Sequence, residues 1–228
     1  MTKNHAVIIL ASGLSQRLGQ AKQLLKKDGE PLIRYMTKLA LATQPKAIMI
    51  VIPEDNPLIA SAVTELATQY AIIHMVTNPT PETGMAHSLY LGIEALVNLD
   101  DSLINHILIM GIDQILLNES HLIELLAGQQ TVVASGYSSL RHWSNGQDLD
   151  ETTDTEAFKK DIIGLPLSID YELLKQWQAL LTGDKGLRHL IRGLPVIQIS
   201  SVDNHQLSYD IDTPEQLVYA RQQGWVNE

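Results

Sequence analysis

The feature that most constrains the fold is an unbroken apolar run over residues 6–11, which leads directly into a glycine-containing loop. Strands that are buried on both faces read as continuous aliphatic runs, because helices cover both sides of a parallel sheet. The loop holds Gly13 and Gly19 together with the cations Arg17 and Lys22. Backbone N–H groups can converge on an anion in such a loop. The sequence therefore predicts a buried parallel strand that leads into a phosphate-binding turn.

Further apolar segments predict a mainly parallel α/β sheet within one domain over residues 1–228. Buried strands are predicted at residues 6–11, 47–52, 72–76, 104–110, 131–135 and 196–200, with a strand end at 209–212. Helical spacing predicts helices at residues 31–41, 59–70 and 171–181, and others that begin near 84 and 213. Alternation of strands and helices is typical of a doubly wound sheet. Residues 144–161 are polar and acidic, and we expect an excursion there, which favours a disordered insertion over a lid.

Composition excludes several classes of function. The 16 basic and 26 acidic residues give a net charge of −10, which argues against nucleic acid as a partner. The absence of cysteine excludes disulfides and thiolate zinc sites. No apolar run approaches the roughly 20 residues that span a bilayer, and the N-terminus lacks a secretory leader. We expect a soluble, cytoplasmic protein without a membrane partner.

The loop itself fits neither of two familiar glycine motifs. A P-loop ends in Gly-Lys-Ser/Thr, and the dinucleotide fingerprint has three glycines at a different spacing. A triphosphate is instead matched by backbone donors, the Ser15 hydroxyl, the bidentate guanidinium of Arg17 and the ammonium of Lys22. We therefore expect a nucleoside triphosphate to bind here.

The loop closely resembles the signature of the MobA-like nucleotidyltransferases. That signature, small-x-Gly-x-Ser-x-Arg-hydrophobic-Gly-x-x-Lys followed by two leucines, is matched by Ala11, Gly13, Ser15, Arg17, Leu18, Gly19, Lys22, Leu24 and Leu25. The resemblance implies a three-layer αβα sandwich with a Rossmann-like sheet, similar to the nucleotide-diphospho-sugar transferase (GT-A-like) fold. It also implies that Ala11, Ser12 and Gly13 bind nucleotide together with Ser15, Arg17 and Lys22.

A second segment resembles the family's Asn-Pro followed by Gly-Met-x-x-Ser-Leu. It is matched by Asn78, Pro79, Gly84, Met85, Ser88 and Leu89. The resemblance implies that Asn78, Gly84 and Ser88 contribute to the nucleotide site. Ser88 as a helix cap and His87 as an ordinary exposed histidine remain the alternatives.

Two carboxylates are the predicted metal ligands. Asp113 follows an apolar strand, and a carboxylate at the carboxyl end of a central strand suits Mg²⁺ held against a triphosphate. A helix N-cap is the alternative for Asp113, although Asn118 and Ser120 are better placed for that role. The family's final Asp-Ile-Asp-Thr-Pro-Glu pattern, at residues 210–215, implies Asp210 as the second ligand.

The helix start after this pattern has its own explanation. Thr213, Pro214 and Gln216 form a predicted capping box, and we assign Asp212 mainly to the start of that helix.

The expected acceptor site depends on two further matches. Gly164 and Pro166 match a family Gly-x-Pro segment that contacts the acceptor, whereas Leu165 replaces its usual polar residue. The segment 183–190 resembles one in molybdenum-cofactor cytidylyltransferases and implies acceptor binding by Lys185 and Arg188. Solvated charges at a helix start are the alternative for these two residues.

The resemblance implies a Mg²⁺-dependent transfer of CMP from CTP to a phosphorylated acceptor, with release of pyrophosphate. Arg17, Lys22 and Asp113 are the predicted catalytic residues. Molybdopterin is the expected acceptor, and a molybdoenzyme or its chaperone the expected protein partner, by family analogy alone. The alternatives are another nucleotide or a sugar phosphate, and a nucleotide-binding chaperone or regulatory module without turnover, which Leu165, Ile112 and Ile115 favour.

Overall fold

A computed structural model describes residues 3–99, 101–137, 162–183 and 186–227. The strands of the main sheet are β1 (His5–Leu10), β4 (Ile48–Pro53), β5 (Ile73–Asn78), β6 (His106–Gly111), β7 (Val132–Tyr137), β8 (Ile162–Asp170) and β9 (Ile199–Asp203). A small hairpin pairs β2 (Lys26–Lys27) with β3 (Glu30–Pro31). The helices are α1 (Leu32–Ala42), α2 (Pro57–Gln69), α3 (Met85–Leu99), α4 (Glu119–Ala127), α5 (Tyr171–Trp177), α6 (Arg188–Arg192) and α7 (Pro214–Gln222).

The main sheet has the strand order β5-β4-β1-β6-β8-β7-β9. Its neighbours pair in parallel except at β8, which runs antiparallel to both β6 and β7. All six residues of β1 are buried, with Val7 and Ile9 in the core on one face and Ala6 and Ile8 in the core on the other. Because helices cover both faces, the continuous apolar run is explained, and the predicted mainly parallel α/β sheet is confirmed.

The carboxyl ends of β1, β4, β5 and β6 meet at one edge of the sheet, where ligands of such folds bind. The predicted strand end at residues 209–212 is wrong. A 3₁₀ turn spans His205–Ser208, and the backbone that follows joins no strand. The alternation of polar and apolar residues in this segment has another cause, because Ile211 is buried in the core, whereas Asp210 and Asp212 line cavities.

Several other predicted bounds also differ from the structure. The strand predicted at 196–200 begins at Ile199, because Val196–Gln198 forms a 3₁₀ turn after Pro195. The helix predicted at 171–181 ends at Trp177 and continues only as a 3₁₀ turn. The strand predicted from residue 104 begins at His106.

Two predictions fall outside the described residues, namely the excursion at 144–161 and the role of Lys185. Among the helices that the structure describes, none is long and apolar enough to cross a membrane.

Candidate active site

Two cavities adjoin at the carboxyl edge of the sheet. The larger, of about 790 Å³, lies between the loop after β1 and the amino end of α3. The smaller, of about 460 Å³, lies between β8 and the start of α6. Both are lined by Asp113, which follows β6, and by Leu165 of β8. Asp113 is therefore placed where ligands in the two cavities would meet.

Gln23 holds the loop after β1 in shape. Its amide Nε2 donates to the carbonyl of Ala11 at 2.7 Å and to that of Gly13 at 2.8 Å. Ser15 has a φ of 52° and Gly19 a φ of 75°, a region that glycine adopts at little cost. The Ser15 hydroxyl accepts a hydrogen bond from the backbone N–H of Lys22 at 3.3 Å. The predicted nucleotide-binding loop is therefore pre-formed by its own side chains.

A buried polar network joins this loop to α3. The hydroxyls of Ser12 and Ser88 lie 2.5 Å apart, and Asn78 Nδ2 donates to both at 3.2 Å. All three residues are buried. The cap reading of Ser88 is therefore wrong, because its side chain joins this network from the interior of α3. Gly84 lines the larger cavity beside it with a φ of 98°.

The two cations that line the larger cavity, Arg17 and Lys22, both contact Asp212. Lys22 Nζ donates to Asp212 Oδ1 at 2.6 Å and lies 3.5 Å from Asp113 Oδ2, while Arg17 donates to Asp212 Oδ2 at 2.5 Å. The prediction that Asp212 serves mainly the helix start is wrong for its side chain. Only the backbone N–H of Asp212 takes part there, because it donates a hydrogen bond to the side-chain oxygen of Gln216. The predicted capping box of Thr213 and Gln216 is confirmed.

The carboxylates of this region carry opposite pKa shifts. Burial alone would raise the pKa of Asp212, but hydrogen bonds and charge from Lys22 and Arg17 outweigh it and lower that pKa. The pKa of Asp210 is raised to about 7, first because surrounding protein displaces water and then because Asp113 and Asp212 are negative. The negative charge around Asp210 is thus incompletely compensated.

This charge distribution fits a divalent cation. Asp113 and Asp210 both line the smaller cavity. Within the described residues, no cluster of three or more acidic, histidine or cysteine side chains is assembled to hold a metal. Mg²⁺ needs no such cluster, because it commonly takes one or two carboxylates and completes its shell with phosphate oxygens and water.

The smaller cavity is lined by two of the four predicted acceptor residues. Gly164 and Arg188 line it, whereas Pro166 is buried behind it. The Pro166 carbonyl accepts a hydrogen bond from Ser135 at 2.7 Å. The Leu165 carbonyl accepts one from the Gln114 amide. Pro166 therefore supports the wall of this cavity.

Tyr137 is a cavity residue that the sequence analysis missed. It lines the smaller cavity, and a Cβ added to Gly164 would meet its hydroxyl at 1.8 Å. Burial and the negative charge of Asp210 raise the pKa of Tyr137 to about 12, so the phenol is protonated at neutral pH. The antiparallel pairing of β7 with β8 brings Tyr137 beside Gly164. No local sequence motif indicates this contact.

Comparisons with known proteins agree on the type of domain. The sequence model of the MobA-like NTP transferase domain matches residues 7–202. No curated protein sequence matches the chain significantly. Solved structures are similar at low sequence identity, which shows a shared fold.

Three of these structures overlap nearly the whole chain. A nucleotidyl transferase from Methanothermobacter thermautotroptrophicus has a TM-score of 0.70 and 17% identity, with 97% of each chain covered. Rv0371c from Mycobacterium tuberculosis H37Rv has a TM-score of 0.69 and 19% identity, covering 97% of this chain and 100% of that one. A 4-diphosphocytidyl-2C-methyl-D-erythritolsynthase from Anaerococcus prevotii has a TM-score of 0.69 and 15% identity, with 97% and 96% covered.

Proposed function

The chain belongs to the MobA-like NTP transferase family, and we propose that it transfers CMP from CTP to a phosphate monoester acceptor. The observation that carries this proposal is the position of Asp113, which lines both cavities and lies 3.5 Å from the Lys22 ammonium. CTP is favoured because one similar structure is named as a diphosphocytidyl synthase and because residues 183–190 resemble a segment of molybdenum-cofactor cytidylyltransferases. Molybdopterin is the acceptor that the family resemblance supplies, and a molybdoenzyme or its chaperone the corresponding protein partner.

In the proposed reaction an oxygen of the acceptor's phosphate dianion attacks the α-phosphorus of CTP in line. A new P–O bond forms, the bond from the α-phosphorus to the bridging oxygen breaks, and pyrophosphate leaves with that electron pair. No protein nucleophile is needed, so the site contributes positioning and electrostatic stabilisation. Backbone N–H groups and Ser15 of the loop position the triphosphate. Arg17 and Lys22 neutralise its charge, and Lys22 stabilises the α-phosphoryl group.

Asp113 and Asp210 would hold the metal. When bound, Mg²⁺ supplies Lewis-acid neutralisation of the triphosphate. The incompletely compensated negative charge around Asp210, which lines the smaller cavity together with Asp113, supports this assignment.

Pyrophosphate release tests the proposal. The protein is incubated with each of the four nucleoside triphosphates, Mg²⁺ and a panel of phosphate monoesters that includes molybdopterin. Release with CTP supports it, and Asp113→Asn should reduce that release by about 10²-fold or more. Asp203→Asn, a change at an exposed site on β9, is the control and should keep the activity. Nucleotide binding without release from any acceptor would favour a chaperone or regulatory module instead.

A further inference from the structure

One part of the lining of the smaller cavity is an apolar wall, formed by Leu10, Met85, Leu89, Ile109, Leu165, Leu167 and Leu187. These apolar residues make up half of the fourteen that line the cavity. They include Leu89, Leu165, Leu167 and Leu187, of which all except Leu165 are at least nine-tenths buried. An apolar surface of this kind gains free energy only against apolar atoms of a ligand. A ligand body with apolar atoms therefore gains free energy against this part of the lining.

The charged groups of the same cavity are Asp113, Asp210 and Arg188. Asp113 also faces the larger cavity, so the reacting phosphate of an acceptor belongs at this end. Arg188 is exposed, and among the described residues it is the one lysine or arginine that lines the smaller cavity. A guanidinium of this kind pairs with a phosphate through two hydrogen bonds.

Neutral polar side chains beside this wall are few. Gln114 uses its amide Nε2 on the Leu165 carbonyl, while its Oε1 is buried and meets no hydrogen-bond partner in the described part of the chain. Tyr137 adds one phenol. Among the described residues that line this cavity, Gln114 Oε1 is thus the one buried side-chain acceptor left without a hydrogen bond.

We propose that the acceptor is an amphipathic phosphate monoester, with a body that presents a continuous apolar face and few hydroxyl groups. The phosphate pairs with Arg188 at the end of the cavity that adjoins the larger one, the body lies against Leu165 and Leu187, and one N–H or O–H group reaches Gln114. An alkyl chain and the face of a planar ring share this chemistry. The inference rests on the proposed function, which it narrows to a class of acceptor.

Polyhydroxylated sugar phosphates are disfavoured by the same wall. Each hydroxyl that loses water without gaining a partner weakens binding, and the cavity offers Gln114 and Tyr137 as neutral side-chain partners. Leu165 stands where this family segment usually has a polar residue. Substitution of Leu165 should therefore change the preference for apolar phosphates over sugar phosphates.

The test compares four acceptors at saturating CTP and Mg²⁺: decyl phosphate and 1-naphthyl phosphate as apolar probes, glucose 1-phosphate and ribose 5-phosphate as polar ones. We expect kcat/KM for pyrophosphate release to favour an apolar probe by about 10-fold or more. A comparison of decyl phosphate with 1-naphthyl phosphate shows whether the cavity prefers an alkyl chain or a planar ring. Leu165→Asn should reduce this preference about 10-fold. Leu180→Asn, at a 53% exposed site outside both cavities, should leave it unchanged.

The two proposals fail in different ways. Pyrophosphate release that is equal or faster with the sugar phosphates overturns the inference and leaves the nucleotidyl transfer standing. If none of the four supports release, calorimetric titration in the presence of a non-hydrolysable CTP analogue decides. Binding of decyl or naphthyl phosphate that is lost in Leu165→Asn supports the ligand class assigned to this cavity, although the proposed transfer then fails. Tighter binding of sugar phosphates, binding that Leu165→Asn leaves unchanged, or no binding at all overturns the inference.

Discussion

Lys22 Nζ lies 2.6 Å from Asp212 Oδ1, and Arg17 donates to the other oxygen of the same carboxylate. The two cations assigned to the triphosphate thus share one protein carboxylate. The Lys22 side chain is only 10% exposed, so its charge needs a partner at all times. A triphosphate that binds Lys22 and Arg17 must therefore compete with Asp212.

Replacing Asp212 by Asn should strengthen nucleotide binding when no metal is present. Two unit charges about 4 Å apart interact by about 1 kcal/mol even in water, so loss of the competing carboxylate should lower the Kd of CTP in EDTA about 5-fold. Calorimetric titration measures this Kd. Glu215→Gln removes the same unit of negative charge at an exposed position of α7, and it should have little effect on this Kd. Weaker CTP binding by the Asp212 variant would contradict the competition.

Lys22→Met should lower kcat for pyrophosphate release by about 10²- to 10³-fold, because the developing charge on the phosphoryl group loses its ammonium. Methionine keeps the apolar stem that packs in this buried position. Steady-state kinetics measures the change, with Lys26→Met at an exposed site as the control. A kcat that falls equally in both variants would remove Lys22 from the mechanism.

Asn78→Ala should destabilise the fold. Its amide donates to Ser12 and Ser88, and truncation leaves those buried hydroxyls with fewer partners, at a cost of about 1–3 kcal/mol. Urea unfolding measures the loss. Asn56→Ala is a matched control, because the Asn56 side chain makes no capping hydrogen bond at α2. Equal unfolding midpoints for the two variants would show that the network contributes little.

Three histidines have lowered pKa values in the folded protein, and we expect them to make it less stable in acid. Burial lowers the pKa of His5, His121 and His106, the last to about 4, where nearby Lys3 adds to the effect. The unfolded chain, with histidine pKa values near 6.5, therefore binds more protons than the folded chain below that pH. The stabilisation from these histidines is complete above pH 6.5 and is lost as the pH falls below it, whereas Asp210, with its pKa raised to about 7, acts in the opposite direction.

Urea midpoints at pH 7.5 and pH 5 measure this dependence. His121→Gln should reduce the difference between the two midpoints, because one shifted group has been removed. His189→Gln, at an exposed position of α6, should keep the difference of the parent protein. An unchanged difference in the His121 variant would exclude that histidine as a source of the acid sensitivity.

The sequence predicted those parts of the fold that depend on local pattern. The apolar run of β1, the helix caps at Asn118 and Thr213 and the turn glycine Gly19 carry their own signals, and the structure confirms them. Gly13 differs, because it has no positive φ and a Cβ would fit there. The strand end at residues 209–212 was wrong, because alternation around Ile211 reflects a buried irregular segment and not a ladder.

The candidate site was harder to predict, because its contacts join distant segments. Lys22 and Asp212 are 190 residues apart, and no local spacing indicates their ion pair. Tyr137 reaches the smaller cavity only through strand pairing. Gln23, which holds the nucleotide loop, has no sequence signal beyond its place after Lys22.

The most direct test of the central claim is the thermal stability of the protein with CTP, with and without Mg²⁺, beside GTP, ATP and UTP. A ligand at about 100 times its Kd adds about 2.7 kcal/mol to the free energy of unfolding. We predict a Mg²⁺-dependent rise in Tm with CTP that Asp113→Asn removes. No rise in Tm with any of the four nucleotides would contradict a nucleoside triphosphate site between Lys22 and Asp113.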